Sequence, residues 1–278
     1  MEAEVIRIDV AGVIKDRLPK LSRWIPRCAI RSIEHLICQD GLNGLLQSNA
    51  GKTGADFCAG VLKDLNVSYN VHGINNLPQP SEHHVTYVSN HPLGALDGIC
   101  IIDMVARRHP GYPVKFIVND LLMAIKPLHD VFVPINKHGS QNRNTGNAVE
   151  AAFNEDGPVI VFPAGLCSRM QNGIIKDLSW HKMFVVKTRR TGRKVIPLYF
   201  DAHNSRNFYN FARFREKTGI KFNLEMLMLP REVFKCQGAN FSIYVGSPLT
   251  PECLPTGMAA ADKAAEIRDL VYSLKPKN

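Results

Sequence analysis

No two cysteines of this chain stand in a C-x-x-C pair. The seven thiols, at positions 28, 38, 58, 100, 167, 236 and 253, are scattered and odd in number. That argues against a disulfide frame and a structural zinc site, and it fits reduced thiols in a cytosolic setting. The first ten residues, MEAEVIRIDV, lack the basic start and long apolar stretch of a secretory signal. No apolar run approaches the ~18–20 residues needed to cross a bilayer, so any meeting with a membrane is expected to be peripheral. Internal repeats and low-complexity segments are missing too. A phosphate loop is hinted at by NAGKTG (49–54), but the motif needs glycine where Leu46 stands, and no strand precedes it. GLCSR (165–169) is not the G-x-S-x-G of a nucleophile elbow; Cys167 there reads more readily as a small core residue than as a nucleophile. His83 and His84, being adjacent, point to opposite faces of any strand and do not share a metal easily.

What remains is an ordinary globular composition with a basic excess. The 278 residues are 45% hydrophobic and 21% charged, enough for a substantial core in one large domain or one and a half. Thirty-four Lys+Arg against 25 Asp+Glu give a net charge of +9. Such a surface favours an anionic partner: nucleic acid, an acidic protein, or a membrane containing anionic lipids.

Residues 1–65 read as helices broken by Pro19, Pro26 and a glycine-rich stretch, 41–54. Ile14, Leu18, Leu21, Ile25 and Cys28 recur at helical spacing beside a cluster of bases and Trp24. Two readings stand for this segment: a helix lying in a membrane interface, or a packed helix with a solvated basic face. From residue 66 the pattern changes. Apolar, β-branched runs at 85–89, 114–118, 131–135, 158–163, 194–200 and 241–246 alternate with helical stretches at 94–108, 144–155, 180–190 and 258–274. The expected fold is α/β, a mostly parallel sheet flanked by helices, residues 66–278, with an N-terminal helical segment, residues 1–65. Pro197 inside VIPLYF points to an edge strand or a bulge. RNFYNFARFR (206–215) interleaves aromatics with bases. It suits stacking on single-stranded nucleic acid, a core-facing stripe with a basic outer face, or a membrane- or acyl-facing surface.

The stretch with chemistry in it is SNHPLGALDG (89–98). Val85–Ser89 reads as a strand and Pro92 suits a first helical turn, which sets His91 at the carboxyl edge of the sheet. A neutral imidazole there can accept a proton if its other nitrogen is held. Asp97 is the nearest carboxylate in sequence. Six residues do not place both side chains on one face of a regular helix, so the pair needs a turn, which Gly94 permits. A helix-capping turn with a structural histidine explains the same residues equally well. VFPAGLCSR (161–169) then adds a second polar loop at a strand end.

The order of these blocks resembles the glycerolipid or lysophospholipid acyltransferase family. That family carries N-H-x4-D, an arginine-bearing strand, F-P-E-G-T-R-S and a V-P-[IV] strand. The matching stretches here are Asn90, His91 and Asp97, then FVPINK (132–137), FPAGLCSR (162–169) and IPL (196–198), over roughly residues 66–250. There are three departures. Five residues rather than four separate His91 from Asp97, Ala164 replaces the glutamate, and Lys137 is the nearest base to the missing arginine. Those arginine and glutamate positions are associated in the family with a glycerol-phosphate acceptor, so a phosphate-bearing acceptor is in doubt. NHPLGALDG with FPAGLCSR and the aromatic–basic segment looks like the branch of hemolysin-like proteins and ornithine- and glycine-lipid O-acyltransferases.

The resemblance implies an enzyme that moves a fatty acyl group from acyl carrier protein or acyl-CoA to the hydroxyl of a lyso-glycine or lyso-ornithine lipid. His91 and Asp97 are the implied catalytic pair, with Asn90, Lys137, Gly165, Ser168 and Arg169 binding substrate. It implies no metal and no cofactor beyond the thioester co-substrate. The expected location is cytoplasmic, peripheral on the inner face of the cytoplasmic membrane, with a surface of anionic lipids as partner. The alternatives are a 1-acyl-glycerol-3-phosphate or lysophospholipid acyltransferase and, outside enzymes, a basic nucleic-acid- or membrane-binding protein; the ordered motifs speak against nucleic acid as the partner.

Overall fold

The computed structural model describes residues 7–17, 24–135, 143–220 and 223–276. The β-branched and aromatic runs form a seven-stranded sheet built from β1 (Ser68–His72), β2 (Val85–Ser89), β3 (Lys115–Asn119), β4 (Phe132–Ile135), β5 (Val159–Val161), β8 (Lys194–Asp201) and β9 (Asn240–Val245). A separate hairpin pairs β6 (Arg169–Gln171) with β7 (Ile174–Lys176). The order across the sheet is β1-β9-β8-β2-β5-β3-β4. Every neighbouring pair is parallel except β8 with β9.

Side-chain alternation along the strands divides the core in two. Tyr87, Ile160, Ile196, Leu198 and Phe200 face one side, where α4 (Gly54–Asp64) and α5 (Leu96–Arg108) pack. Val88, Val159, Val161, Val195 and Tyr199 face the other, covered by α6 (Arg143–Asn154), α7 (Met183–Thr191) and α10 (Ala259–Ser273). A sheet buried on both faces needs continuous apolar strands, and β2 is buried at all five positions. Three earlier helices, α1 (Val10–Arg17), α2 (Arg27–Leu36) and α3 (Gln39–Ser48), precede this layered body. α4 falls inside the stretch 1–65, yet it contributes Phe57, Cys58, Val61 and Leu62 to the same core as the sheet. Among the described residues no helix is long and apolar enough to cross a membrane.

One local expectation is corrected and another is narrowed. Pro197 is neither on an edge nor in a bulge. It is buried within β8, between β2 and β9, in register with Val88. The sheet tolerates it because the antiparallel pairing with β9 begins only at Leu198. At Pro197 itself just the carbonyl is used, accepting from the Gly246 N–H at 2.9 Å. The glycine-rich stretch 41–54 breaks the helices only in its second half: α3 runs through Gly41 and Gly44 to Ser48, and the break falls at residues 49–53, before α4 starts at Gly54. Gly41 has a packing reason: a Cβ there would stand 2.6 Å from Cζ of Phe234.

Candidate active site

The carboxyl ends of β8, β2 and β5 lie side by side on one edge of the sheet, and three polar segments leave from them. The middle one carries His91. The chain turns sharply after β2: Gly94 adopts φ +82°, a conformation that favours glycine. A Cβ on Gly94 would also collide with Leu229, whose methyls lie 2.9 Å from that point. The turn folds Asp97, in the first turn of α5, back under the histidine. His91 Nδ1 then donates to Asp97 Oδ2 at 2.9 Å. The expected pairing is therefore present, made by the turn and not by a helix face.

The carboxylate is fully buried, while the imidazole keeps 16% of its surface exposed. Asp97 is compensated for that burial. Besides His91 it accepts the Leu93 and Gly98 N–H groups, each at 2.9 Å, at the positive end of α5. Phe162 stacks on the imidazole with ring centroids 4.2 Å apart. With Nδ1 tied to a carboxylate, Nε2 is the nitrogen left to exchange a proton, and no hydrogen bond joins it to a described residue.

The backbone of the turn is clamped by side chains from both neighbouring strands. Asn90 is buried; its amide donates to Phe200 O at 3.0 Å and accepts from Phe200 N at 2.7 Å. It imitates a strand pairing with β8 and leaves no amide group facing outward. His91 N–H donates to Asp177 Oδ1 at 3.2 Å, and Ser168 N–H donates to His91 O at 2.8 Å. Asn204, past the end of β8, donates to Pro92 O and Leu93 O at 3.2 and 3.3 Å. The histidine segment and the F-P-x-G loop are thus directly bonded to each other.

Ser168 and Arg169, read from sequence as substrate contacts, point into the protein. Ser168 is buried and its hydroxyl donates to Asp177 at 2.6 Å. Arg169 is buried as well: Nη2 donates to Glu225 at 2.8 Å, Nη1 to Cys167 O and Sγ at 2.9 Å each, and the guanidinium lies over Phe208. Arg215 holds the other oxygen of Glu225 at 2.8 Å, so one buried carboxylate joins two arginines. Gly165 N–H donates to Phe162 O at 2.9 Å, which closes the loop under the stacked ring. Lys137 lies outside the described residues. Cys167 is fully buried, and desolvation pushes its thiol up to about 11 against the pull of Arg169, so it offers little thiolate near neutral pH.

Asp177, Asn204 and Glu225 were not singled out by sequence. Asp177 gathers the most contacts: His91 N–H, Ser168 Oγ and, at 2.9 Å, Trp180 Nε1, while its own N–H donates to Tyr272 of α10. Burial pushes its carboxyl above the ordinary carboxylate range, and the hydrogen bonds from Ser168, Trp180 and His91 pull the other way. One local signal pointed at it: the Asn172–Gly173 pair marks a two-residue hairpin between β6 and β7, and that hairpin returns the chain to Asp177 beside Ser168.

The arrangement is a histidine oriented by a buried carboxylate, aimed outward at a rim, with no serine or thiolate nucleophile poised beside it among the described residues. It suits proton removal from a hydroxyl brought by a substrate. The lyso-glycine lipid O-acyltransferase of Phocaeicola vulgatus is 39% identical over 270 residues, covering 97% of this chain and 96% of that protein. The protein of the same name from Bacteroides thetaiotaomicron is 39% identical over 267 residues, 96% of this chain and 97% of its own. Among solved structures, the 1-acyl-sn-glycerophosphate acyltransferase of Thermotoga maritima aligns over 89% of this chain and 92% of that one, at 17% identity and a TM-score of 0.44. Residues 12–277 match the acyltransferase family, so nearly the whole length of this chain belongs to it.

Proposed function

We propose that this acyltransferase esterifies the hydroxyl of a lyso-glycine lipid with a fatty acyl group taken from a thioester donor, acyl carrier protein or acyl-CoA. The observation that carries the reading is the His91–Asp97 pair at the exposed rim, in a chain 39% identical to lyso-glycine lipid O-acyltransferases over almost its whole length. Ala164 in place of the glutamate that the family associates with a phosphate-bearing acceptor points the same way.

In the proposed reaction, His91 Nε2 takes the proton of the acceptor hydroxyl as its oxygen attacks the thioester carbonyl. Asp97, 2.9 Å from Nδ1, offsets the positive charge that the ring then carries. Collapse of the tetrahedral intermediate forms the ester and expels the thiolate, which receives the proton from His91. No covalent enzyme intermediate is needed, because the acceptor is itself the nucleophile. Gly165 N–H is engaged with Phe162 O. The N–H groups that follow it, at Leu166 and Cys167, donate to no described residue and are the loop's candidates for holding the oxyanion. Asn90, Ser168 and Arg169 serve as positioning residues, and the basic surface suits both an acidic carrier protein and anionic head groups. The enzyme works peripherally at a membrane, where its acceptor resides.

The test is an acceptor panel with purified protein: lyso-glycine lipid, lyso-ornithine lipid and lysophosphatidate, each with acyl carrier protein and CoA thioesters. Preferential acylation of lyso-glycine lipid is expected. Preference for lysophosphatidate would overturn the acceptor assignment.

A further inference from the structure

The segment that follows β8 has an outward surface that the chemistry above does not use. The helix α8 (Arg206–Lys217) packs Phe208 and Tyr209 inward, in a small cluster with Cys167 and Leu229 that is separate from the two main cores. Its other side leaves Phe214 61% exposed and Phe211 beside it also exposed. The chain then passes through a 3-10 helix, Leu224–Met228, in which Leu224, Met226 and Leu227 are exposed as well. Only Glu225 of that helix turns fully inward, to Arg169 and Arg215. Large apolar side chains gathered on a surface mark an interaction site.

The charge around this patch says what fits it. Arg206, Arg213, Lys217 and Arg231 are exposed around it, and Glu216 is the one exposed acid among the described residues of 206–231. An apolar centre in a basic surround complements acyl chains beneath anionic head groups. Position adds to this. Leu229, which opens α9 (Leu229–Lys235) directly after the 3-10 helix, packs on Gly94 in the His91–Asp97 turn, and Glu225 grips the arginine next to Ser168, whose N–H holds His91. The patch therefore lies one packed layer from the rim where the imidazole is exposed.

We infer that residues 206–220 and 223–229 form a membrane-docking cap that seats this rim on an anionic bilayer, with Phe211, Phe214, Leu224 and Leu227 entering the acyl–head-group boundary. The inference deepens the proposed function, since it supplies the route by which a bilayer-resident acceptor reaches His91.

The experiment is co-sedimentation of the full chain with phosphatidylcholine vesicles, with and without phosphatidylglycerol. The unmodified chain should partition to the anionic vesicles. F214S/L227S should weaken that partition about tenfold, from the apolar area removed. R213E/K217E should weaken it by a similar factor that shrinks in high salt. All four side chains are exposed, so the thermal midpoint should stay put, and H91Q should bind as the unmodified chain does. On lyso-glycine lipid dispersed in detergent both double variants should turn over normally, and on lipid embedded in vesicles they should be slow. Unchanged vesicle partition in both variants overturns the cap. So does a shift from dimer to monomer in sedimentation velocity on F214S/L227S, which would make a second copy the occupant. Failure of the unmodified chain to acylate detergent-dispersed lyso-glycine lipid overturns the proposed function instead, and leaves the partition result to stand alone.

Discussion

The turn that carries His91 and the proposed cap, residues 206–220 and 223–229, meet the same loop, Phe162–Arg169, from two sides, and they are built on opposite rules. In the turn, polar groups are buried and paired. Asn90 is matched to Phe200, Asp97 has three donors, and Asp177 and Ser168 hold the two backbone groups of His91. One nitrogen is left pointing out. In the cap the polarity is reversed: the ions, Arg169, Glu225 and Arg215, are inside, and phenylalanine and leucine are outside. The first pattern fixes one atom in place, as acid–base work needs. The second holds a shape while offering apolar area, as adsorption needs. On the proposed reading, a single chain keeps reaction and location on separate elements, joined through one buried loop.

The sharpest way to break this contrast is His91→Gln. Turnover should fall about a thousandfold or more, the scale of a lost general base, while vesicle partition is untouched. Near-normal turnover would remove the turn from the chemistry.

The next largest effect tests the cap's interior. Glu225→Gln leaves the buried Arg169 without a carboxylate and Arg215 with only the exposed Glu216 at 3.4 Å, and should cost about 3–5 kcal/mol in a urea titration. Replacing Arg169, Arg215 and Glu225 together by methionine should recover much of that loss, because an uncompensated charge is worse than none. Unchanged stability in Glu225→Gln would mean the cap is held by its apolar cluster alone.

Asp177→Asn probes the joint between turn and loop. The new amide can still accept from His91 N–H or Ser168, but it sets an NH2 against one of the three donors around it, a mismatch worth about 1–3 kcal/mol. The pH dependence has a definite sign. Burial raises the Asp177 carboxyl in the folded chain, so its contribution to stability is fully present below the unfolded carboxyl value and is lost as pH rises through the folded one. The stability gap between the parent and Asp177→Asn should therefore narrow as the medium goes from acid toward neutral. A gap that widens would reverse the assignment of burial as the dominant cause.

The smallest effect expected sets the cap against the other basic, aromatic-bearing segment. Trp24 is 85% exposed, and α2 buries no residue at all. Deleting residues 1–26 should reduce vesicle partition less than F214S/L227S does. A larger reduction would give the N-terminal helices the main share of docking.

These two segments also mark what could be read without coordinates. Both showed bases mixed with apolar residues, and periodicity alone placed neither beside the site. Six of the seven sheet strands and the α/β alternation were legible because burial in a covered sheet leaves apolar, β-branched runs, whereas β1 was missed because its residues alternate between exposed and half-buried. His91 and Asp97 were legible because proline and glycine between them announce the turn that joins them. Asp177, Asn204 and Glu225 were not, because each closes a contact across tens of residues, and a lone polar residue carries no period. Ser168 and Arg169 were found for a pattern they do share with substrate-binding loops, but burial turned them to the scaffold. Pro197 misled for a related reason: a missing N–H matters only where a partner strand would have used it.

The bond from His91 Nδ1 to Asp97, with Phe162 flat against the ring, has one more consequence. An imidazole held on its edge and on its face cannot swivel to follow a hydroxyl. If the acceptor is the proposed bilayer-resident lyso-lipid, it has to bring its oxygen to a fixed depth relative to the membrane surface, and that depth becomes a ruler. Lyso-lipids whose hydroxyl sits a few carbons nearer or farther from the head group should be turned away by reach alone, so regiochemistry is set by depth and needs no pocket that recognises the chain.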